Sequence, residues 1–348
     1  MKESVQTCSG NKAQRAAIPE MTKRNNLAWF AISALGAAAA LAGCGVGPAA
    51  KGTFDRTFKV DGPLRLELMN GNGDTRISAG IVGETRVHGE FRVKAWSNES
   101  GERRAQELQE NPPVSQQGNL IRIGGVGFHR NMHDSSVDYT IVVPPNTEVY
   151  AQTGSGDVEL TGVKGPAKFM AGSGSVSASA IGGDVQVTAG SGKVQLSDIQ
   201  GQAQLTSGSG DMTLKAVHGE MRLQSGSGVV KIAEPGDKVV ATTGSGKITV
   251  TGASVDLRLR AASGDITVDG TPSSSQYWDL HTSSGNVTMH VPSAASFRFY
   301  ARSNSGRINA GIPIVMEGTT GKHELRARIG DGQARVEIAT SSGNIDLR

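Results

Sequence analysis

The chain has 348 residues, 47 of them glycine, and only 4% aromatic residues. That length allows one or two domains, and so few aromatics suit a narrow layered core better than a large globular enzyme. The formal charge of +3 resides in the first 43 residues, where Lys2, Lys12, Arg15, Lys23 and Arg24 outnumber Glu3 and Glu20. The remainder holds 30 basic and 30 acidic residues. No basic patch is apparent in that neutral remainder, which argues against a nucleic-acid partner.

Met21 opens an export signal and is read as the true start. Lys23 and Arg24 form its basic region, Leu27 to Ala40 its apolar run, and Leu41-Ala42-Gly43-Cys44 its end. Small residues before a cysteine at the close of a short apolar run resemble a bacterial lipobox. The resemblance implies cleavage before Cys44 and lipidation of its thiol, so the lipid bilayer is the first expected partner. Gly45 follows the cysteine where an aspartate would resemble an inner-membrane retention signal, which favours the outer membrane. Cys8 is the only other cysteine and is lost with the leader, so no disulfide is expected.

The expected division is residues 1–43 as leader, 44–52 as lipidated tether, 53–150 as a β-rich N-terminal cap and 151–348 as repeats. In the cap, strands are expected at 54–60, 64–68, 75–77, 85–93, 120–123 and 138–143. A polar helix is expected at 99–110, stopped by Pro112 and Pro113. Between them, His129 and His133 with Asp134 have a metal-like spacing, but the stretch reads as a loop rather than the helix that would make the spacing useful.

From residue 153 one phrase recurs: TGSGDVEL, AGSGSVSA, AGSGKVQL, SGSGDMTL, SGSGVVKI, TGSGKITV, AASGDITV. Its glycines Gly156, Gly174, Gly192, Gly210, Gly228, Gly246 and Gly264 stand 18 apart. A fixed period means a stack of similar coils. Aliphatic residues fall at positions 2 and 4 after each glycine (Val194 and Leu196, for example) and at 11 and 13 (Ala203 and Leu205). Each pair alternates as a strand requires. Each coil is therefore two short facing strands, and the fold expected is an all-β, two-sided β-solenoid. The glycines are expected to turn the corners with positive φ, and the coil to be right-handed. After Gly264 the interval stretches to 21, through Gly285 and Gly306, and the last one, to Gly343, is 37 residues and is read as two coils. About ten coils at about 4.8 Å each make a rod near 45–50 Å.

The lipobox, the segment VDYTIVVP at 137–144 and the repeated Ser-Gly strands resemble the DUF4097 family of bacterial envelope adhesins over residues 54–348. The resemblance implies a β-solenoid on the cell envelope, without catalytic residues or cofactors to carry over.

Candidate sites are weak against that background. Gly-Ser-Gly-Lys at 190–193 and 244–247 lacks the first glycine and the following Ser/Thr of a phosphate loop. Calcium turns need oxygen ligands at every coil, yet Lys193, Val229 and Lys247 share the column of Asp157, Asp211 and Asp265. Those aspartates lie three coils apart, too far for a glycosidase pair, and read as a solvated column. Ser155, Ser173, Ser191, Ser209, Ser227, Ser245 and Ser263 read as a hydroxyl ladder bonding between coils. Tyr277, Trp278, Phe297, Phe299 and Tyr300 cluster in the longer coils. They belong either to the core edge or to a contact with an envelope glycan or surface protein, since aromatics concentrate at binding surfaces. The function expected is a non-enzymatic adhesion or scaffold module of the envelope. The alternatives are an envelope-stress signalling partner and a polysaccharide-acting β-helix enzyme.

Overall fold

The computed structural model describes residues 49–348 apart from 95–97, 126–134, 318–320 and 322. Cys44 and the His129, His133, Asp134 group lie outside the described residues. Gly47–Arg348 forms one compact unit. Its described residues form two sheets, of 14 and 15 strands, with a helix at Asn98–Glu110. The fold is the all-β, two-sided solenoid.

One coil illustrates the rest. Val194–Ile199 runs in the first sheet and Ala203–Ser207 in the second. Val194 pairs in register with Val176 on one side and Met212 on the other, and Leu196 with Ala178 and Leu214. Across the core, Leu205 pairs with Val187 and Leu223. All of these side chains are buried. Parallel pairing without slippage keeps each aliphatic above its counterpart, so the inward face is continuous. Each fully buried Leu or Val contributes about 1.5–3 kcal/mol, and a coil gains this only between neighbours.

The coil also buries a third position of the first half that simple alternation does not give. Val163, Ile181, Ile199, Val217 and Ala253 are buried, seven residues after their glycines. The residue before each has positive φ: Gly162, Ala180 (54°), Asp198 (54°), Ala216 (52°) and Gly252. Glu234 (53°) does the same before Pro235, which is also buried. One left-handed residue breaks the period of two and swings the next side chain inward as the chain leaves the first sheet.

This corrects the expected role of the Ser-Gly glycines, none of which has positive φ. Their constraint is closeness between coils. A Cβ on Gly192 would stand 1.8 Å from the carbonyl oxygen of Gly174, and one on Gly174 would stand 2.0 Å from that of Gly156.

At both ends the order in space departs from the order in sequence. Leu64–Asn70 and Thr75–Ala79 form the coil beside Thr147–Thr153 and Val158–Thr161, while Leu120–Gly124 and Ser135–Val143 lie outside it. The expected division at residue 150 thus falls inside a solenoid strand. At the other end Ala334–Thr340 inserts between Tyr277–Thr282 and Phe297–Ser303. The stretch after Gly306 supplies one parallel coil, not two, because Glu324–Ile329 runs antiparallel along Phe297–Ser303 as a border. A stack ordered like its sequence would end on a coil held on one side only. Interleaving holds each inserted coil on both.

The expected tether at 44–52 overlaps a strand. Ala49–Lys59 is one strand, paired antiparallel with Glu84–Lys94, so residues 49–52 belong to the sheet. The helix packs on these two strands through buried Ala105 and Leu108, one turn apart on a single face. Arg56 donates to the Glu110 carbonyl at 2.9 Å and so satisfies an otherwise open helix C-terminus.

Candidate functional site

With the core filled by columns, chemistry is confined to the outward positions, and these also form columns. The aspartates expected to be merely solvated are structural acceptors. Asp211 Oδ1 accepts the Val229 amide at 2.8 Å, and Asp265 Oδ1 accepts that of Asn286, also at 2.8 Å. Asn286 and Asn344 continue the pattern onto Asn344 and Arg307. Asp184 and Asp256 do the same at the opposite corner, for Gln202 and Tyr277. These oxygens bond to the amides of the next coil.

The hydroxyl ladder lies two residues earlier than expected. The serines from Ser155 to Ser263 are exposed. The buried hydroxyls are those of Thr153, Ser207, Ser225, Thr243, Thr282, Ser303 and Thr340. Thr243 Oγ1 accepts the Gly246 amide at 3.0 Å, and Thr282 Oγ1 donates to the Gly264 carbonyl of the preceding coil at 2.9 Å. Lys193 and Lys247 of the Gly-Ser-Gly-Lys phrases are exposed turn residues like those at the same place in other coils.

The aromatic cluster divides. Trp278, Phe297 and Phe299 are buried, which removes them as contacts. Trp278 pairs in register with Leu257 and with Val336, both core residues, so alternation turns its ring inward. Its indole N–H donates to the Val255 carbonyl at 2.8 Å. Tyr277 and Tyr300 remain half-buried on the outer face, each beneath a guanidinium: Arg335 lies 5.7 Å from the Tyr277 ring and Arg326 lies 5.2 Å from that of Tyr300. The Tyr277 hydroxyl donates to Glu337. Burial first, and then that hydrogen bond, push its pKa up to about 12, while the same bond holds the Glu337 carboxyl below its ordinary range.

Around these tyrosines lies a feature missed in the sequence. Arg258, Arg260, Arg298, Arg302, Arg326 and Arg335 point outward from adjoining strands of the second sheet, and Arg328 joins them half-exposed. In one row Arg335, Arg298 and Arg328 are direct cross-strand neighbours. Asp279 pairs with Arg258 and Arg260, Glu324 with Arg326, Glu317 with Arg328 and Glu337 with Arg335. Among the described residues no acid lies within ion-pair range of Arg298 or Arg302. The alternations Leu257-Arg258-Leu259-Arg260 and Leu325-Arg326-Ala327-Arg328 were the available signal. Overall neutrality concealed it, because only part of their charge is balanced by the acids beside them, and acids elsewhere in the chain offset the rest.

At the other end of the same sheet a shallow groove of about 460 Å³ is lined by Glu148, Tyr150, Lys168, Asp184, Gln186 and Gln204. Among the described residues no group of three or more His, Cys, Asp or Glu is placed to hold a metal. Nor is any described helix long and apolar enough to cross a membrane.

No curated protein matches the chain. Solved structures similar to it include a putative cell adhesion protein from Clostridium sporogenes ATCC 15579 and a putative adhesin from Bacteroides fragilis NCTC 9343. The first is 13% identical over 85% of this chain and 99% of that one, with a TM-score of 0.24. The second is 13% identical over 87% of this chain and 100% of that one, with a TM-score of 0.31. The family model described as Toastrack DUF4097 matches residues 65–243 and 237–348. Those segments take in the N-terminal coils, the regular 18-residue stack and the interleaved C-terminal end, and the chain belongs to the Toastrack DUF4097 family.

Proposed function

We propose that the chain is a non-enzymatic adhesion or scaffold module of the cell envelope, anchored to the outer membrane through acylated Cys44. The observation that carries this reading is the register of the stack. Strand after strand pairs in register from Val158 to Met289, with one shift, between Thr251 and Ala253, after the core pairs Ile248–Ile266 and Val250–Val268, so outward side chains repeat at about 4.8 Å intervals. Such a surface suits a partner that is itself extended, because many weak contacts at fixed spacing sum to a firm one. The lipobox at residues 41–44 supports the anchor. The first described strand begins at Ala49, five residues beyond the cysteine in the sequence.

Immobilising the purified protein and passing envelope glycans and surface proteins over it tests the module. Specific retention of one class is expected, and retention of none sinks the reading. Cys44→Ser tests the anchor separately. The variant is expected to leave the membrane fraction, and an unchanged membrane association overturns lipidation.

A further inference from the structure

Like charges set directly opposite one another on a sheet are destabilising. The row Arg335, Arg298, Arg328 is therefore a cost that the fold does not offset at its centre, since Arg298 has no acid in range among the described residues. Arg302, four residues along the same strand, stands opposite Glu324 rather than another arginine, yet it too has no acid within ion-pair range among the described residues, and half-buried Tyr300 lies between the two. Guanidinium groups are rigid forks suited to carboxylates, which they bind through two parallel hydrogen bonds. Two such forks stand free on a flat face amid five others already turned toward carboxylates.

The acids within the field narrow the partner. Asp279, Glu317, Glu324 and Glu337 sit among the seven arginines, leaving a net charge of +3. A nucleic-acid backbone carries a charge every few ångströms along each strand and is served by a field of one sign. A charged lipid surface is served by basic residues beside an apolar face that enters it, and here Trp278, Phe297 and Phe299 point inward, leaving exposed there, among the described residues, only Val315 and Met316 on the two-residue strand beside Arg328. Mixed signs fit a polymer whose anions are separated by hydroxyls. The arginines take its carboxylates, and the Asp and Glu oxygens accept from its hydroxyl groups. Strand spacing of about 4.8 Å is close to the length of one sugar unit in an extended chain.

We infer that the arginine face centred on Arg298, Tyr300 and Arg302 binds an acidic polysaccharide bearing carboxylates along its length. The inference rests on the adhesion reading and names its partner class. It also places the contact at the C-terminal end of the second sheet, at the opposite end of the strand order from Leu64–Asn70 and so away from the anchored end.

The test uses the purified protein with polygalacturonate as probe, and with methyl-esterified polygalacturonate, phosphatidylglycerol vesicles and single-stranded oligothymidylate as comparisons. Polygalacturonate binding is expected to weaken as salt rises, and the neutral ester to bind far less. Arg298→Gln with Arg302→Gln should weaken polygalacturonate binding about tenfold or more, the loss of two charge-assisted contacts. The melting temperature should not fall, because neither arginine is ion-paired, and relief of the like charges around Arg298 should raise it slightly. Replacing both with lysine should restore part of the affinity. Equal binding by the glutamine variant, equal binding of the neutral ester, or tighter binding of vesicles or oligothymidylate each overturns the inference. If the glutamine variant is still retained on the envelope panel as well as the wild type, the arginine face fails and the adhesion reading stands. If the wild type is retained by nothing, both fail.

Discussion

Asp157 and Ser175 stand 18 residues apart and are joined across one coil: Oδ1 of Asp157 accepts the Ser175 amide at 2.7 Å. Asp74 does the same for Asp157 at 3.1 Å. The aspartate column therefore stitches coils where the strands end and ladder hydrogen bonds run out. An aspartate can hold this place and an asparagine can too, as Asn286 shows on Asn344 at 2.9 Å. Asp157→Asn is expected to change stability little. Asp157→Ala should cost about 1 kcal/mol, the usual worth of one such bond. Urea unfolding of the two variants checks the pair, and equal losses would mean that the carboxylate's charge matters rather than its acceptor oxygen.

The contact between Gly192 and Gly174 makes a sharper prediction. A methyl at Gly192 meets a backbone carbonyl, and a backbone cannot step aside without opening its own ladder. Gly192→Ala is expected to lower the melting temperature strongly and to raise amide exchange first in Val194–Ile199 and its neighbours. The left-handed column behaves in reverse. Ala180, Ala216 and Glu234 hold a conformation that costs L-residues about 1–2 kcal/mol, partly returned by the extra freedom glycine brings to the unfolded chain. Glu234→Gly should therefore stabilise by up to about 1 kcal/mol. A lower melting temperature for that variant would show that the Glu234 side chain contributes more than its backbone strain removes.

How far the sequence could be read follows from these same residues. Val158, Val194 and Ile248 stack as expected, because a fixed period with period-two alternation specifies register. Trp278 could not be placed from its type alone, since an aromatic is equally at home in a core and at an interface. Counting from Gly264 through the inserted loop would have matched it to Leu257. The repeat suggests positive φ for its glycines, whereas their real constraint, closeness between coils, is a property of the stack and leaves no mark within one repeat. The interleaved ends were hidden for a similar reason: the 37-residue interval fits two sequential coils as well as one coil and a border. The arginine face required knowing that Ala334–Thr340 lies beside Phe297–Ser303, which no spacing discloses.

His88 ties Ala49–Lys59 to Glu84–Lys94 through Asp55, at 2.8 Å from its Nδ1, with Glu90 near its Nε2 at 3.5 Å. The hydrogen bond with Asp55 raises its pKa above 6.5, against a smaller lowering by burial. A raised histidine stabilises the fold fully below its unfolded value and loses that contribution as pH rises through the folded one. The first strand should therefore loosen between about pH 6.5 and the higher folded value. Both groups are largely exposed, so the effect is small. Amide exchange of Thr53–Thr57 at pH 6 and pH 8 measures it, after correction for intrinsic rates. His88→Gln is expected to erase the difference.

Tyr277 and Glu337 make the opposite case toward the C-terminal end of the second sheet. The hydroxyl of Tyr277 bonds to the carboxylate and, with Arg335, holds it below its ordinary range. A depressed carboxyl contributes stability above its unfolded pKa and loses it as pH falls through the folded one. Tyr277→Phe removes the main cause of that depression while leaving the ring beneath Arg335. At pH 7 the variant should be less stable than the wild type by about 1 kcal/mol. That gap should close as pH falls below about 4, where the carboxyl protonates in the unfolded chain and then in the folded one. Paired melting curves from pH 7 to pH 3 give the comparison. A gap that stays constant over that range would mean that the Tyr277 hydroxyl stabilises this end of the sheet independently of the ionisation of Glu337.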